Sequence, residues 1–205
     1  MAGLFISFEG GEGVGKSTQI ARLADRLRAQ GHQVVVTFEP GGTELGQEVR
    51  RILLTPGNHV TPRSEALLYA ADRAHHVETV IEPALAAGQV VLCDRYADST
   101  FAYQGAGRSL DPDDVRAVME FAVAGRWPDL TVLLDVDPRV GLARARGGGS
   151  GDRIEAESLQ FHDAVRHGFL ALAAAAPERF AVIDASGPLD DVTALVDEVV
   201  KGRLR

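Results

Sequence analysis

The sequence predicts an α/β fold in three layers, with a parallel sheet of about five strands flanked by helices. Two observations carry this prediction. Apolar runs rich in Val, Ile, Leu and Phe are typical of strands that are covered on both faces, and they occupy residues 3–9, 33–39, 89–94, 130–136 and 179–184. Between these runs the apolar residues recur at helical spacing, so strand and helix alternate along the chain.

Three helices are indicated by apolar residues three and four positions apart, within residues 20–27, 115–122 and 192–200. Gly31 is suited to end the first helix, because glycine accepts the left-handed backbone that often follows a helix. Asp111 and Pro112 fit the N-cap and the first position of the second helix.

Composition limits the class of protein. The 205 residues carry a net charge of −8 and are 45% hydrophobic, so we expect one globular domain, residues 1–205, that binds neither nucleic acid nor an anionic membrane. The single cysteine, Cys93, lies in an apolar run and is expected to be a buried thiol. The N-terminal residues lack a basic segment, and no apolar run could span a bilayer. A cytoplasmic protein is therefore expected.

Residues 10–17, GGEGVGKS, match the phosphate-binding P-loop pattern G-x-x-x-x-G-K-[ST] between a predicted strand and a predicted helix. In this loop backbone N–H groups turn toward phosphate oxygens, and the helix N-terminus adds positive charge. Lys16 would reach the β- and γ-phosphates of ATP, and the hydroxyl of Ser17 would coordinate Mg²⁺. The residues expected to contact the ATP phosphates are Gly10, Gly11, Glu12, Gly13, Val14, Gly15, Lys16, Ser17 and Thr18.

Lys16 is one of two lysines in a chain with 19 arginines. A thin, flexible ammonium stem fits inside a P-loop, whereas a planar guanidinium is wider. The lysine is thus retained where shape excludes arginine. The other lysine, Lys201, is expected to be a solvated helix residue.

A P-loop by itself does not distinguish kinases from nucleotide switches or ATP-driven machines. The chain has no N-K-x-D motif for guanine and no L-S-G-G-Q signature of transporter ATPases. The remaining polar clusters must therefore decide the reaction.

Polar clusters follow two predicted strands, where ligands bind in an open parallel sheet. Glu39 begins the first cluster, EPGG, which alone could be an ordinary turn. Asp94 ends the third strand, a usual place for a carboxylate near Mg²⁺, and Arg95 is suited to a phosphate. Asp94 and Arg95 could also form a structural ion pair. The second cluster continues with Ser99, Tyr103 and Gln104 on an expected short helix.

Two further segments carry candidate ligand-binding residues. Tyr69 and Arg73 are four residues apart and would share a helix face, where a ring and a guanidinium can read a nucleobase; taken alone, they could equally be packing and surface charge. The adjacent His75 and His76 point to different faces, which disfavours a shared metal. The segment 144–153, RARGGGSGDR, is either a plain flexible loop or an anion-binding lid.

In these motifs the chain resembles the thymidylate kinases. The resemblance covers about residues 3–185 and rests on FEGGEGVGKST, FEPGGTELGQEVR, YAADRAHHV, DRYADSTFAYQGAGR and DRIEAES, in the family's order. It implies a P-loop kinase fold that phosphorylates dTMP to dTDP with ATP and Mg²⁺, and a homodimer. A kinase for another monophosphate, dUMP or dCMP, and a P-loop switch remain the alternatives.

The resemblance also implies residue roles. Lys16, Glu39, Arg95 and Arg153 would be catalytic, with Arg95 on the dTMP phosphate and Glu39 organising that site. The residues that would bind dTMP are Glu12, Glu39, Tyr69, Arg73, Arg95, Ser99, Thr100, Tyr103 and Gln104. Among these, Tyr69 would stack on thymine, Arg73 would donate to O4, Thr100 and Gln104 would approach the base edge, Tyr103 would exclude a 2′-hydroxyl, and Glu12 would contact the 3′-hydroxyl. The metal would lie near Ser17 and Asp94.

The P-loop lacks the arginine that some thymidylate kinases place next to the acidic residue, because Gly13 stands there. The chain therefore resembles the bacterial type, which keeps catalytic arginines in the lid. Arg144, Arg146 and Arg153 would supply that charge, and Arg153 is expected to contact the transferred phosphoryl group.

Overall fold

A computed structural model describes residues 3–146 and 152–204, and it confirms the predicted α/β fold. The described residues contain five strands: β1 (Leu4–Glu9), β2 (Val34–Phe38), β3 (Val90–Asp94), β4 (Leu130–Asp135) and β5 (Phe180–Asp184). They form one sheet in the order β2-β3-β1-β4-β5, and every pairing is parallel. Each predicted strand is too long by one residue at one or both ends. The hydrogen bonding between neighbouring strands stops one residue earlier, where the chain turns away from the adjacent strand.

The helices of the described chain flank this sheet. They are α1 (Lys16–Ala29), α2 (Glu44–Leu54), α3 (Pro62–His76), α4 (Glu82–Ala86), α5 (Ala97–Thr100), α6 (Pro112–Val123), α7 (Pro138–Arg146), α8 (Leu159–Ala175) and α9 (Leu189–Lys201). The segment Val77–Ile81 between α3 and α4 is π-helical, and α5 continues into a second π-helical segment, Phe101–Gly107. The short helix expected around Ser99 is therefore α5 extended by wider turns, which π-helices often provide at functional sites. No helix in the described chain has the length and apolar character to cross a membrane.

The helix signals of the sequence act as expected. Asp111 caps α6, since its Oδ1 accepts a hydrogen bond from the N–H of Asp113 at 2.8 Å, and Pro112 is the first helical residue. Helix α1 ends at Ala29, and Gly31 then adopts a left-handed φ of +90°. Both helices are therefore bounded by the residues that the sequence indicates.

Both faces of the central strands β1, β3 and β4 are buried, which explains why these strands are mostly apolar. Ile6 and Phe8 of β1 pack with α1 and α9, while Phe5 packs on the opposite face with α3 and α6. Cys93 lies on that second face and is completely buried, and burial raises the pKa of its thiol. It is a structural thiol, as predicted.

The sheet order places the P-loop, residues 10–17, beside the turn that follows β3. Strand β1 lies between β3 and β4, and Phe8 is paired with Asp94. The N–H of Arg95 donates to the carbonyl of Phe8 at 2.9 Å. The two strand ends that carry the P-loop and Arg95 are thus adjacent, where parallel sheets bind their ligands.

Candidate active site

A cavity of about 610 Å³ opens at the carboxyl ends of the central strands. Residues from every polar cluster that the sequence singled out line it. They are Glu12, Gly13, Val14, Gly15, Lys16, Ser17, Thr18, Glu39, Tyr69, Arg73, Asp94, Arg95, Ser99, Thr100, Tyr103, Gln104 and Arg144. Segments far apart in the chain thus form one site.

Lys16 begins α1 and is held inside the P-loop. Its Nζ donates to the carbonyl of Gly11 at 2.9 Å and lies 3.4 Å from that of Gly10. Burial, followed by the charge of Arg95, lowers the pKa of Lys16, while Asp94 and Glu12 act in the opposite direction. The ammonium is therefore fixed by the loop that is expected to bind the phosphates.

Gly13 has a φ of +64°, and a Cβ at this position would lie 2.0 Å from the carbonyl oxygen of Gly141. Both the backbone conformation and the close approach of α7 exclude a side chain. The P-loop of this protein therefore has no room for an arginine at residue 13. A further cation for the reaction must come from another segment.

Ser17 and Asp94 form the polar pair at which a metal was expected. The hydroxyl of Ser17 donates to Oδ2 of Asp94 at 2.9 Å. A hydroxyl and a carboxylate are oxygen ligands that suit Mg²⁺, which usually takes few protein ligands and completes its shell with phosphates and water. Within residues 3–146 and 152–204, no group of three or more His, Cys, Asp or Glu residues could hold a metal. The pair fits a metal that binds together with ATP.

Arg95 lies between the P-loop and Tyr103. Its Nη1 donates to the carbonyl of Gly10 at 2.8 Å, its Nη2 donates to Oε1 of Glu12 at 2.6 Å, and its guanidinium lies 4.9 Å from the centre of the Tyr103 ring. The sequence left open a structural ion pair between Arg95 and Asp94. Among the described residues Arg95 forms its ion pair with Glu12 and none with Asp94.

Glu12 receives a second hydrogen bond, from the hydroxyl of Tyr103 at 2.7 Å. Burial raises the pKa of Glu12, but the charges of Arg95 and Lys16 outweigh burial and lower it to about 2. Glu12, Arg95 and Tyr103 therefore form one charged, hydrogen-bonded group on the cavity wall.

Glu9, which the sequence analysis did not select, holds the turn that carries Arg95. It is fully buried and accepts hydrogen bonds from Tyr96 N–H at 2.7 Å and from Ser99 Oγ at 2.6 Å. Burial, followed by the charge of Asp98, raises the pKa of Glu9 to about 8. These contacts support the left-handed φ of +67° at Arg95, a conformation that is costly for a residue other than glycine. The available signal was a carboxylate ending an apolar strand.

Glu39 is the centre of a buried polar cluster. It accepts from Nε of Arg73 at 2.8 Å and pairs with Nδ1 of His76 at 2.8 Å. Arg73 also donates to Oγ1 of Thr100 at 2.9 Å, and Nε2 of His76 bonds the hydroxyl of Thr37. The predicted residues Glu39, Arg73 and Thr100 are thus joined, and His76 serves this cluster.

Gln104, which lines the cavity together with Tyr69, contacts a second buried carboxylate that the sequence analysis missed, Glu65. Nε2 of Gln104 donates to Oε1 of Glu65 at 2.8 Å, and Nε of Arg108 donates to the same oxygen at 3.2 Å. Residues 65, 69 and 73 are four apart on α3 and share one face. The same spacing that identified Tyr69 and Arg73 would have identified Glu65.

The predicted lid arginines occupy different positions. Arg144 lines the cavity and donates to the carbonyls of Ala185 at 3.1 Å and Ser186 at 3.3 Å. Arg153 is not among the residues that line the cavity, although its neighbours Asp152 and Ile154 are. Its side chain donates to the carbonyl of Leu53 at 2.6 Å and to Glu65.

The rest of the predicted lid is not described. Residues 147–151 and the side chain of Arg146 lie outside the described residues. The lid assignments therefore stay predictions, with Arg144 at the cavity and Arg153 bound to Glu65.

Comparison with known proteins assigns a family. The family model described as thymidylate kinase matches residues 8–196. A thymidylate kinase of Clavibacter sepedonicus is 58% identical over 199 residues, covering 95% of this chain and 92% of that protein. Thymidylate kinases of Synechococcus sp. (strain JA-3-3Ab) and Deinococcus radiodurans are 55% and 53% identical, each over 201 residues. They cover 98% of this chain and 97% and 98% of those proteins.

Proposed function

The chain belongs to the thymidylate kinase family, and we propose that it transfers the γ-phosphoryl group of ATP to dTMP through the cavity described above. One observation carries the proposal. The same cavity holds Lys16 of the P-loop and a second cation, Arg95, on the neighbouring strand end. A nucleotide switch needs only the first of these, whereas a kinase must hold two phosphorylated substrates side by side.

The two cations have separate tasks in this reaction. Lys16 binds the β- and γ-phosphates of ATP, and Arg95 binds and aims the phosphate of dTMP. That phosphate is anionic at neutral pH, so it attacks without a strong base. Phosphoryl transfer depends mainly on positioning and on fixed positive charge around the equatorial oxygens. Glu12 shares Arg95 with the incoming phosphate and keeps the guanidinium ordered before dTMP arrives.

Ser17 and Asp94 are the residues that would hold Mg²⁺ together with ATP. When bound, the ion neutralises charge on the transferred phosphate oxygens. Ser17 is the second residue of α1 and Asp94 ends β3, so their 2.9 Å contact sets an oxygen pair next to Lys16. Glu39 contributes to the dTMP site through its ion pair with Arg73.

The base and sugar of dTMP occupy the other side of the cavity. Tyr69 stacks on thymine, Arg73 donates to O4, and Thr100 and Gln104 contact the base edge. Tyr103 fills the space beside the sugar 2′ position, where its ring also packs against Phe161 and Phe169. The residues that contact the sugar and phosphate are Glu12, Glu39, Arg95 and Ser99.

The lid at about residues 144–153 closes over the phosphates during the reaction and excludes water. Arg153 leaves Glu65 and Leu53 to contact the transferred phosphoryl group, while Arg144 and Arg146 supply further positive charge. The whole chain, residues 1–205, acts as a single kinase domain with this lid.

The protein acts as a homodimer in the cytoplasm. Phe121 on α6 is 87% exposed and Leu67 on α3 is 50% exposed, although α3 and α6 pack against each other. Exposed apolar side chains on neighbouring helices are typical of a surface that a second copy covers. The free thiol of Cys93 and the net charge of −8 fit a reducing compartment and a protein without a nucleic-acid partner.

The experiment that tests the function measures ADP formation from ATP and Mg²⁺ with a panel of nucleoside monophosphates. The highest kcat/KM is expected for dTMP, a lower value for dUMP and almost no reaction for UMP. If another monophosphate reacts best, phosphoryl transfer stands and the base assignment is wrong. If none reacts while ATP binds, the protein is a switch.

A further inference from the structure

Glu65 is a buried carboxylate with several donors around it. Its side chain has no exposed surface, and it contacts Gln104, which lines the cavity. Oε1 accepts from Gln104 at 2.8 Å and from Nε of Arg108 at 3.2 Å. Oε2 accepts from Arg153 and lies 3.4 Å from Nη2 of Arg108. Two guanidiniums and one amide thus converge on one group.

This environment keeps Glu65 ionised. Burial raises the pKa of Glu65, but the hydrogen bonds from Gln104, Arg153 and Arg108 outweigh burial and lower it. An ionised carboxylate has no proton to donate and can only accept hydrogen bonds. Gln104 must therefore present its NH₂ group to Glu65, whichever way the amide would otherwise turn.

The orientation of Gln104 decides what the cavity offers a base. With Nε2 bound to Glu65, the carbonyl Oε1 is the amide atom that remains for a ligand, and no side chain of the described residues donates a hydrogen bond to it. An oxygen acceptor matches a base with an N–H on its pairing edge, as thymine and uracil have at N3. Cytosine has a bare nitrogen at N3, and two acceptors facing each other leave both unpaired, which is costly when buried.

We propose that Glu65 is a specificity-determining residue, which fixes the amide of Gln104 so that the site accepts thymine and uracil and rejects cytosine. This inference rests on the proposed function, because it places the pairing edge of the base at Gln104. Glu65 acts through Gln104 and does not touch the substrate.

Glu65→Gln is the direct test, with dUMP and dCMP as substrates. These two monophosphates share sugar and phosphate and differ only at the pairing edge. In the variant, Arg108, which contacts both oxygens of Glu65 in the parent, needs the single remaining oxygen of residue 65, so the NH₂ group of residue 65 turns toward Gln104. Gln104 then turns its carbonyl inward and offers NH₂ to the base. The ratio of kcat/KM for dUMP over dCMP is expected to fall about tenfold or more, the effect of one mismatched hydrogen bond, with dCMP gaining in absolute terms.

Arg108→Lys is the matched control, since it alters the same cluster and leaves the carboxylate that orients Gln104. Its dUMP to dCMP ratio is expected to stay within about twofold of the parent. If Glu65→Gln lowers kcat/KM for dUMP and for dCMP by the same factor, Glu65 has only a structural role and the inference is wrong. That outcome leaves the proposed function intact when the parent still prefers dTMP, whereas a parent that fails with dTMP rejects the proposed function itself.

If Glu65→Gln does not fold, Glu65→Asp is used for the same comparison. Its shorter side chain keeps a negative charge between the arginines but moves the carboxylate out of reach of Gln104. The same fall in the ratio is expected. The parent protein gives an independent measurement by NMR with dTMP bound. The side-chain NH₂ protons of Gln104 are expected to be protected from solvent exchange by Glu65. Rapid exchange of both protons would overturn the inference.

Discussion

Arg95 and Glu12 form a 2.6 Å ion pair between two adjacent strand ends, with Arg95 directly after β3 and Glu12 in the P-loop after β1. Since the pKa of Glu12 is about 2, its carboxylate stays ionised at every pH at which such an enzyme works. Arg95, the residue proposed to bind the acceptor phosphate, is thus ordered by the P-loop that is proposed to bind the donor. The proposed acceptor site therefore depends directly on the geometry of the proposed donor site.

Lys16→Arg is expected to lower kcat about 100-fold or more, because the wider guanidinium cannot occupy the space where Nζ contacts Gly11 and Gly10. Steady-state kinetics with saturating ATP and dTMP measure the effect. Lys201→Arg is the control, since Lys201 is exposed at the end of α9, and it is expected to match the parent. Equal activity of both variants would refute the shape argument.

Tyr103→Ala is expected to admit UMP, because it removes the ring that fills the space beside the sugar. Tyr103→Phe keeps the ring and loses only the 2.7 Å hydrogen bond to Glu12, so it is expected to keep the discrimination. The kcat/KM ratio of dUMP over UMP is the quantity to compare. An alanine variant that still rejects UMP would show that another group excludes ribonucleotides.

Arg153→Ala is expected to lower kcat about 10³-fold while KM for dTMP changes little, because the P-loop has no room for an arginine at Gly13. Arg144→Ala tests the second arginine of the proposed lid, which lines the cavity. This substitution is expected to raise KM for ATP instead of lowering kcat. Single-turnover rates separate chemistry from binding. A larger loss of kcat in Arg144→Ala would assign the catalytic role to Arg144.

Glu9→Gln is expected to stabilise the protein at alkaline pH. The folded pKa of about 8 exceeds the ordinary 4.5, so the contribution of Glu9 to stability is complete below pH 4.5 and is lost as the pH rises through 8. Glutamine keeps both contacts, accepting from Tyr96 and donating to Ser99. Urea unfolding at about pH 5 and about pH 9 should show a larger gain in the free energy of unfolding at the higher pH. The same gain at both values would contradict the raised pKa.

Phe121→Glu is expected to convert dimers to monomers, because it places a charge on the exposed apolar face of α6. Leu195→Glu on α9 is the control, since Leu195 is 44% exposed but lies on the opposite side of the sheet. Sedimentation velocity at several concentrations measures the mass. Monomeric parent protein, or a Phe121→Glu variant that stays dimeric, would reject this interface.

Much of the site follows from local patterns. The P-loop spacing, Asp94 at a strand end and the i, i+4 relation of Tyr69 and Arg73 each depend on a few consecutive residues, and the parallel sheet brings their strand ends and helices to one cavity. Local patterns mark Glu9 and Glu65 as candidates, but their hydrogen-bond partners are distant in sequence, so the sequence does not show what these buried carboxylates bind. Glu9 is 90 residues from Ser99, and Glu65 is 88 from Arg153.

The sequence by itself determined the fold class, the five strands and the family. Periodicity, capping residues and the P-loop encode these locally. Only the tertiary structure decided that Arg95 pairs with Glu12 and not with its neighbour Asp94, and that Gln104 donates a hydrogen bond to Glu65. Such pairings depend on which buried charges must be neutralised together, and the free energy of a buried charge is set by all the groups that surround it in space.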